Sequence, residues 1–251
     1  MKRLFLGAAT AALLAGPALA TDLNELTDAE REAFRAEVRA YLVENPEVLM
    51  EAFAVLEQRQ AEMEAEAQAL AVVENENAIF NSAFDFVGGN PDGDVVIVEF
   101  VDYRCTFCRR AHPEVTELVA GDGNIRLVTK EFPILGEQSE LASRFAIATR
   151  IALGDEAYDQ MGDALYAMRQ DVTELSLARL ASDLGYDSEA IFAAMDDPLV
   201  EATINYNRDL GGRMGITGTP SFVFGDQMVQ GYVPLANMQE IVSILRETDE
   251  G

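Results

Sequence analysis

Apolar residues follow three different spacings along this chain. The first is nearly unbroken: Leu4 to Ala15 is mostly apolar, behind Lys2 and Arg3 and ahead of Ala18-Leu19-Ala20. A positive start, a short apolar run and an A-x-A site make a secretory signal peptide, expected to be cut after Ala20. The run is shorter than the roughly 20 residues a bilayer needs. The second spacing is helical. From Thr27 to about Glu76 there is no glycine and one proline, and Ala, Glu, Gln and Arg dominate. Thr27-Asp28-Ala29-Glu30 is a capping box, and Phe34, Val38 and Tyr41 with Leu42 follow on one face. Asn45-Pro46-Glu47 opens a second helix, with Asn45 as N-cap and Pro46 at N1. Leu49, Phe53, Leu56, Gln60 and Met63 continue down it. Two such helices cannot bury their stripes alone, so they pack on the main domain or on copies of themselves.

The third spacing belongs to strands. After the turn-rich stretch Gly88-Gly89-Asn90-Pro91-Asp92-Gly93, Val95 to Val101 is near-continuously apolar and β-branched, as a buried central strand is. Arg109 to Ala120 reads as a helix and Ile125 to Phe132 as a second strand. A long helical block runs from Gln138 to about Leu210. SFVFGDQMVQG then forms two short strands around Gly225-Asp226, and Ala236 to Arg246 closes with a helix. The expected organisation is a signal peptide over 1–20, a helical segment over 21–75, and an α/β domain over 76–251. A helical insertion occupies about 137–211 of that domain. No internal repeat or low-complexity segment is evident.

The formal charge is -26, and loss of Lys2 and Arg3 would take it to -28. So acidic a chain repels phosphate backbones, so no nucleic-acid partner is expected. The acidic residues are spread along the chain and read as a solvated surface.

The two cysteines, Cys105 and Cys108, are the only ones in the chain, and they sit at the junction of a strand and a helix. As a structural staple they would do little, because so small a ring restrains the unfolded chain by only about 2 kcal/mol. Zinc or a soft metal wants three or four protein ligands. Two thiolates and one histidine, His112, are a thin supply, and no metal is expected. A redox pair needs only what is present. At a helix N-terminus, unpaired amide N–H groups and the helix dipole stabilise a Cys105 thiolate, and Cys108, one turn in, is shielded and resolves the mixed disulfide. Glu99, six residues before Cys105, would be shifted upward by burial, or else it is a strand-end acid paired with a lysine such as Lys130. His112 reads as a surface or packing histidine.

Glu99, the C-x-x-C, the helical insertion, and Gly218-Thr219-Pro220 ahead of a strand together resemble the DsbA-like branch of the thioredoxin superfamily. KEFPILG (130–136) and DYRCTFCRRAHPEV (102–115) are similar to its periplasmic members. TDAEREAFRAEVRAYLVENPEVLMEAF (27–53) resembles the N-terminal region of the suppressor-of-copper-sensitivity C, or Com1-like, subgroup. The resemblance implies a thioredoxin fold with an inserted helical domain, preceded by an α-helical oligomerisation segment. It implies Cys105 as nucleophile, Cys108 as resolving thiol, a redox-active Cys105-Cys108 disulfide, and Glu99 as the buried acid moving the resolving cysteine's proton. Pro220 matches the cis-proline facing the cysteines, and Thr219 would offer backbone hydrogen bonds to a substrate strand. Thr106 and Phe107 depart from the family's commoner Pro-His and Pro-Tyr pairs, and Phe107 offers unfolded clients an apolar surface. These four residues form the implied substrate-binding set. No cofactor is implied.

Location follows from the signal peptide and the resemblance: the periplasm, where disulfides form. The resemblance implies as clients unfolded or misoxidised exported proteins. Kept reduced, the pair works as isomerase or reductase and needs a membrane electron donor of the DsbD or suppressor-of-copper-sensitivity B type. Kept oxidised, it is a monomeric oxidase that donates its disulfide. Self-association, with a trimer implied by the resemblance, favours the first. A reading of another class is a copper-binding factor using Cys105 and Cys108 with Met214 or His112.

Overall fold

The structure is a computed structural model and describes residues 26–249; the expected signal peptide lies outside the described residues. The chain divides into two compact units, one ending at Ala61 and one starting at Glu62.

In the first unit, α1 (Asp28–Glu44) starts on the expected capping box. The Glu30 N–H donates to Thr27 Oγ1 at 3.4 Å, and the Thr27 N–H donates to Glu30 Oε2 at 2.9 Å. The next helix, α2, spans Glu47–Glu74. Asn45, expected to cap α2, instead closes α1: its side-chain amide donates to the Tyr41 carbonyl at 2.9 Å. With so short a joint between the helices, the orphan carbonyl of the finished helix lies within reach of that amide and takes it. No residue of α1 is buried. Phe34, Val38, Tyr41, Leu49, Phe53 and Leu56 all present apolar surface to solvent.

The second unit is built on a five-stranded sheet of order β1-β3-β2-β4-β5. Its strands are β1 (Phe86–Gly89), β2 (Val95–Val101), β3 (Ile125–Glu131), β4 (Ser221–Phe224) and β5 (Gln227–Gln230). Strands β2 and β3 run parallel, joined through α4 (Thr106–Asp122), and the other pairs are antiparallel. This is a thioredoxin fold. Strand β1 falls where the glycine-rich stretch reads as a boundary. Gly89 is needed there because it adopts φ +67° and any Cβ would meet the Ile125 carbonyl oxygen at 2.4 Å. The helix α4 begins inside the cysteine motif, three residues earlier than its apolar pattern suggests, with Cys105 as N-cap.

Alternation along β2 divides the core. Val95, Ile97 and Glu99 face α4 and the closing helix α10 (Leu235–Asp249), with Ala111, Val115, Leu118 and Met238. Val98 and Phe100 face the other way, against Ile79 of α3 (Glu76–Phe80), and Leu210 and Met214. Val72, in the last turns of α2, belongs to that second core. Between β3 and β4 come α5 (Glu137–Leu153), α6 (Asp155–Ala167), α7 (Glu174–Asp183), α8 (Ser188–Ala194) and α9 (Pro198–Arg213). Phe145, Met161, Leu165, Leu177, Ile191 and Ile204 fill the core they share, which reaches Tyr103, Cys105 and Cys108.

Helix α9 lies close against the sheet end because Gly211 leaves room for Phe132. A Cβ at Gly211 would sit 2.5 Å from Phe132 Cε2 and 2.6 Å from Cζ. Gly211→Ala is expected to lower stability by about 1–3 kcal/mol through this overpacking, read by urea unfolding. Unchanged stability would mean that the ring swings aside freely.

Candidate active site

A β-strand ending at Val101 delivers the chain into a tight turn that is tied by Asp102. This fully buried acid accepts from the Arg104 N–H at 2.8 Å, and through its other oxygen from the N–H groups of Ile134 and Leu135 at 2.9 and 3.1 Å. One carboxylate thus fixes both the entry to the cysteine motif and the loop after β3, whose Ile134 and Leu135 side chains are exposed. The Asx turn from residue 102 to residue 104 is readable in the sequence. The reach across 32 residues is not.

From that turn Cys105 emerges as the N-cap of α4, in extended conformation, with both cysteines present as free thiols. Its sulfur lies 3.0 Å from the Thr219 carbonyl oxygen, to which it donates while it carries its proton. The Thr219-Pro220 peptide bond is cis. Cys105 is pulled down to about 5, chiefly by the hydrogen bond from the Cys108 thiol. Desolvation opposes this, while the N–H groups of Cys108 and Phe107 at the open end of the helix assist it. Cys108 goes the other way. It is fully buried, and burial, its hydrogen bond to Cys105 and the nearby charge of Glu99 all push its thiol up. The pair is therefore asymmetric, with one thiol ionised at neutral pH and one held protonated.

Glu99 lies beneath the pair, on the α4 side of β2. Burial alone raises it to about 8. The alternative pairing with Lys130 does not occur. Glu99 sits opposite Thr129 in register, so Lys130, one residue on, points to the other face of the sheet. There its ammonium is buried against Asp85 and donates to the Ala78 carbonyl at 2.8 Å. Glu99 opens instead into a cavity of about 450 Å³, which Tyr103, His112, Tyr158 and Tyr166 also line.

His112 stacks on Tyr166 with ring centroids 4.3 Å apart, and its Nε2 lies 2.7 Å from Asp163 Oδ1. Met214 is packed in the core on the opposite face of the sheet. The structure therefore does not gather the copper set of the alternative reading. Among the described residues no group of three or more His, Cys, Asp or Glu side chains is placed to hold a metal ion. Phe107 is 57% exposed and Thr106 is exposed, so both meet solvent beside the reactive sulfur.

A second buried acid, Glu131, is absent from the sequence reading. It accepts from the hydroxyls of Tyr103, Tyr158 and Ser143 at 2.7, 2.6 and 2.6 Å, and burial still pushes it up to about 7. Its donors come from the active-site turn, α6 and α5, so it ties the helical insertion to the end of β3.

The DsbA-like thioredoxin domain family matches residues 96–243. The copper resistance protein ScsC N-terminal domain matches residues 30–62. Among solved structures the chain is similar to a thioredoxin-like oxidoreductase from Silicibacter pomeroyi. That likeness has 41% identity and a TM-score of 0.65, and it covers 69% of this chain and 98% of that one. It is also similar to Proteus mirabilis ScsC in a transitional conformation, with 27% identity, a TM-score of 0.63, and 88% and 96% covered. The Na(+)/H(+) antiporter NhaA 3 of Salinispora tropica is 28% identical over 138 residues, which are 55% of this chain and 21% of the antiporter. The chain thus spans about a fifth of the length of the curated relatives it matches. The family match covers more than half of the chain and takes in the cysteine pair, the buried acid and the cis-proline alike. The chain belongs to the DsbA-like thioredoxin-domain family, and its N-terminal segment is similar to that of the copper resistance protein ScsC.

Proposed function

We propose that this is an exported, periplasmic disulfide isomerase or reductase that works as an oligomer, kept reduced by a membrane thiol reductase. The observation that carries the reading is the uncovered apolar stripe of α1 and α2, from Phe34 to Leu56. A stripe of that length in water calls for a partner, and a second copy of the same stripe is complementary in chemistry. Clustered active sites hold a misoxidised client near several reduced pairs at once, which favours rearrangement over single oxidation. Export rests on the apolar segment behind Lys2 and Arg3. No helix among the described residues is long and apolar enough to cross a membrane.

One observation favours a second reading, a monomeric oxidase. A thiol held near 5 stabilises the reduced form of the pair and so makes its disulfide more oxidising. Reactivation of a scrambled-disulfide protein separates the two. The comparison is between residues 21–251 and residues 62–251, a cut that keeps the buried Val72. The full chain is expected to reactivate the client at least about tenfold faster than the truncated one, in line with the avidity of clustered sites. Both forms are expected to reduce a small disulfide equally well. If neither reactivates and both rapidly oxidise a reduced client, the oxidase reading replaces this one.

A further inference from the structure

The chain is strongly acidic, yet three arginines surround its reactive sulfur. Arg104 immediately precedes Cys105, and its Nη1 donates to the Gln170 carbonyl at 3.2 Å, which places the exposed Arg169 in the same rim. Arg109 lies one helical turn beyond Cys105. Its Nε donates to the Tyr103 carbonyl at 2.9 Å, which fixes the plane of the guanidinium, while its Nη2 is buried and makes no hydrogen bond among the described residues. The acids nearby offset this charge only in part. Asp102 acts on Arg109 as an opposite charge, but its oxygens are taken by three backbone N–H groups. Asp171, mostly exposed, reaches Arg104 only at 3.9 Å. Burial first, and then the charges of Arg104 and Arg169, press the Arg109 guanidinium below its usual range. Crowded like charges have that effect.

A cluster of guanidiniums beside a reactive sulfur, with Arg169 exposed, fits one partner chemistry well: a carboxylate, drawn by charge and taken in charge-assisted hydrogen bonds. Resting on the thiol–disulfide reading, we propose that Arg104, Arg109 and Arg169 select client disulfides flanked by aspartate or glutamate. The rest of the surface repels such clients at a distance. At about 0.15 M ionic strength, however, screening confines charge effects to roughly 8 Å. Within that range a client's flanking residues meet the rim and not the acidic surface.

The reaction needs no added reductant in a single turnover. The Cys105 thiolate attacks one sulfur of the client disulfide, and the other sulfur leaves and takes up a proton. Cys108 then gives up its proton and displaces the client's second thiol. The protein's dithiol becomes a disulfide, and the client's disulfide becomes two thiols.

The test uses the pre-reduced full chain and three disulfide-bonded peptides of one length, with Glu, Gln or Lys flanking the cysteines. At 0.15 M salt the acidic peptide is expected to be reduced at least about fivefold faster than the neutral one, and the basic peptide more slowly than either. The acidic-to-neutral ratio is expected to fall towards one in Arg104→Gln with Arg169→Gln, in Arg109→Gln, and at about 1 M salt in the unaltered protein. Each ratio is taken within one protein, so any change in Cys105 reactivity or general folding cancels. An acidic-to-neutral ratio at or below one in the unaltered protein overturns the proposal alone, as does a ratio that none of the substitutions moves. Failure to reduce any of the three peptides overturns the thiol–disulfide reading together with it.

Discussion

Cys105→Ser is expected to abolish disulfide exchange, and Cys108→Ser to leave the first half of the reaction running and stop it there. The asymmetry of the two thiols dictates this. Cys105, held near 5, is almost fully ionised at pH 7, and the thiolate is the nucleophile. Serine cannot be ionised in that setting, so turnover should fall by at least about 10³-fold, as losses of a covalent nucleophile do. Cys108 is buried, and its thiol is pushed up by desolvation first and then by Cys105 and Glu99, so it does not compete for the first attack. Its replacement removes only the group that displaces the client. A client linked covalently to Cys105 should then accumulate and be visible on a non-reducing gel. Accumulation in the Cys105→Ser protein instead would invert the assignment.

The second large effect is expected at Glu99, where activity and stability should move in opposite directions. Burial raises its carboxyl from 4.5 to about 8. The folded chain therefore binds this proton more tightly than the unfolded chain does. The stability this contributes is complete below about 4.5 and is lost as pH rises towards 8. At pH 7 the wild-type fold carries most of that loss, on the order of 3 kcal/mol. Glu99→Gln, neutral and nearly isosteric, should recover about that much in a urea titration at pH 7 and almost nothing at pH 4. The same change removes the group able to take the proton from Cys108. Resolution of the mixed disulfide should slow by about 10²-fold or more, and its rise with pH, with a midpoint near 8 in the unaltered protein, should vanish. A variant less stable than wild type at pH 7 would show that Glu99 is charged and paired in the fold.

What the sequence shows of this site is what lies close along the chain. Val95 to Val101 announces a buried strand, and the cysteines at its exit follow from local pattern alone. So does the Thr27–Glu30 capping box, because each of its hydrogen bonds spans three residues. Legibility ends where partners are far apart. Glu131 is an ordinary charged residue at the end of a strand until β3, α5 and α6 come together and place three hydroxyls around it. Lys130 looks like a neighbour for Glu99 in a one-dimensional reading, and only the register of β2 against β3 turns it to the opposite face. Strand β1 is hidden by its own glycines, since composition signals a turn while the close approach of the β3 backbone demands the missing side chain of Gly89. Asn45 sits between two helices and serves the earlier one, a choice that composition does not make.

The chemistry turns on one physical property: the fold splits the two cysteines into an ionised nucleophile and a protonated partner. Ultraviolet titration of thiolate in the reduced protein, with Cys105→Ser and Cys108→Ser as controls, tests it most directly. A transition near 5 that disappears in Cys105→Ser is expected, with Cys108 staying protonated through neutral pH. A first transition near the 8.5 of a free thiol would contradict it.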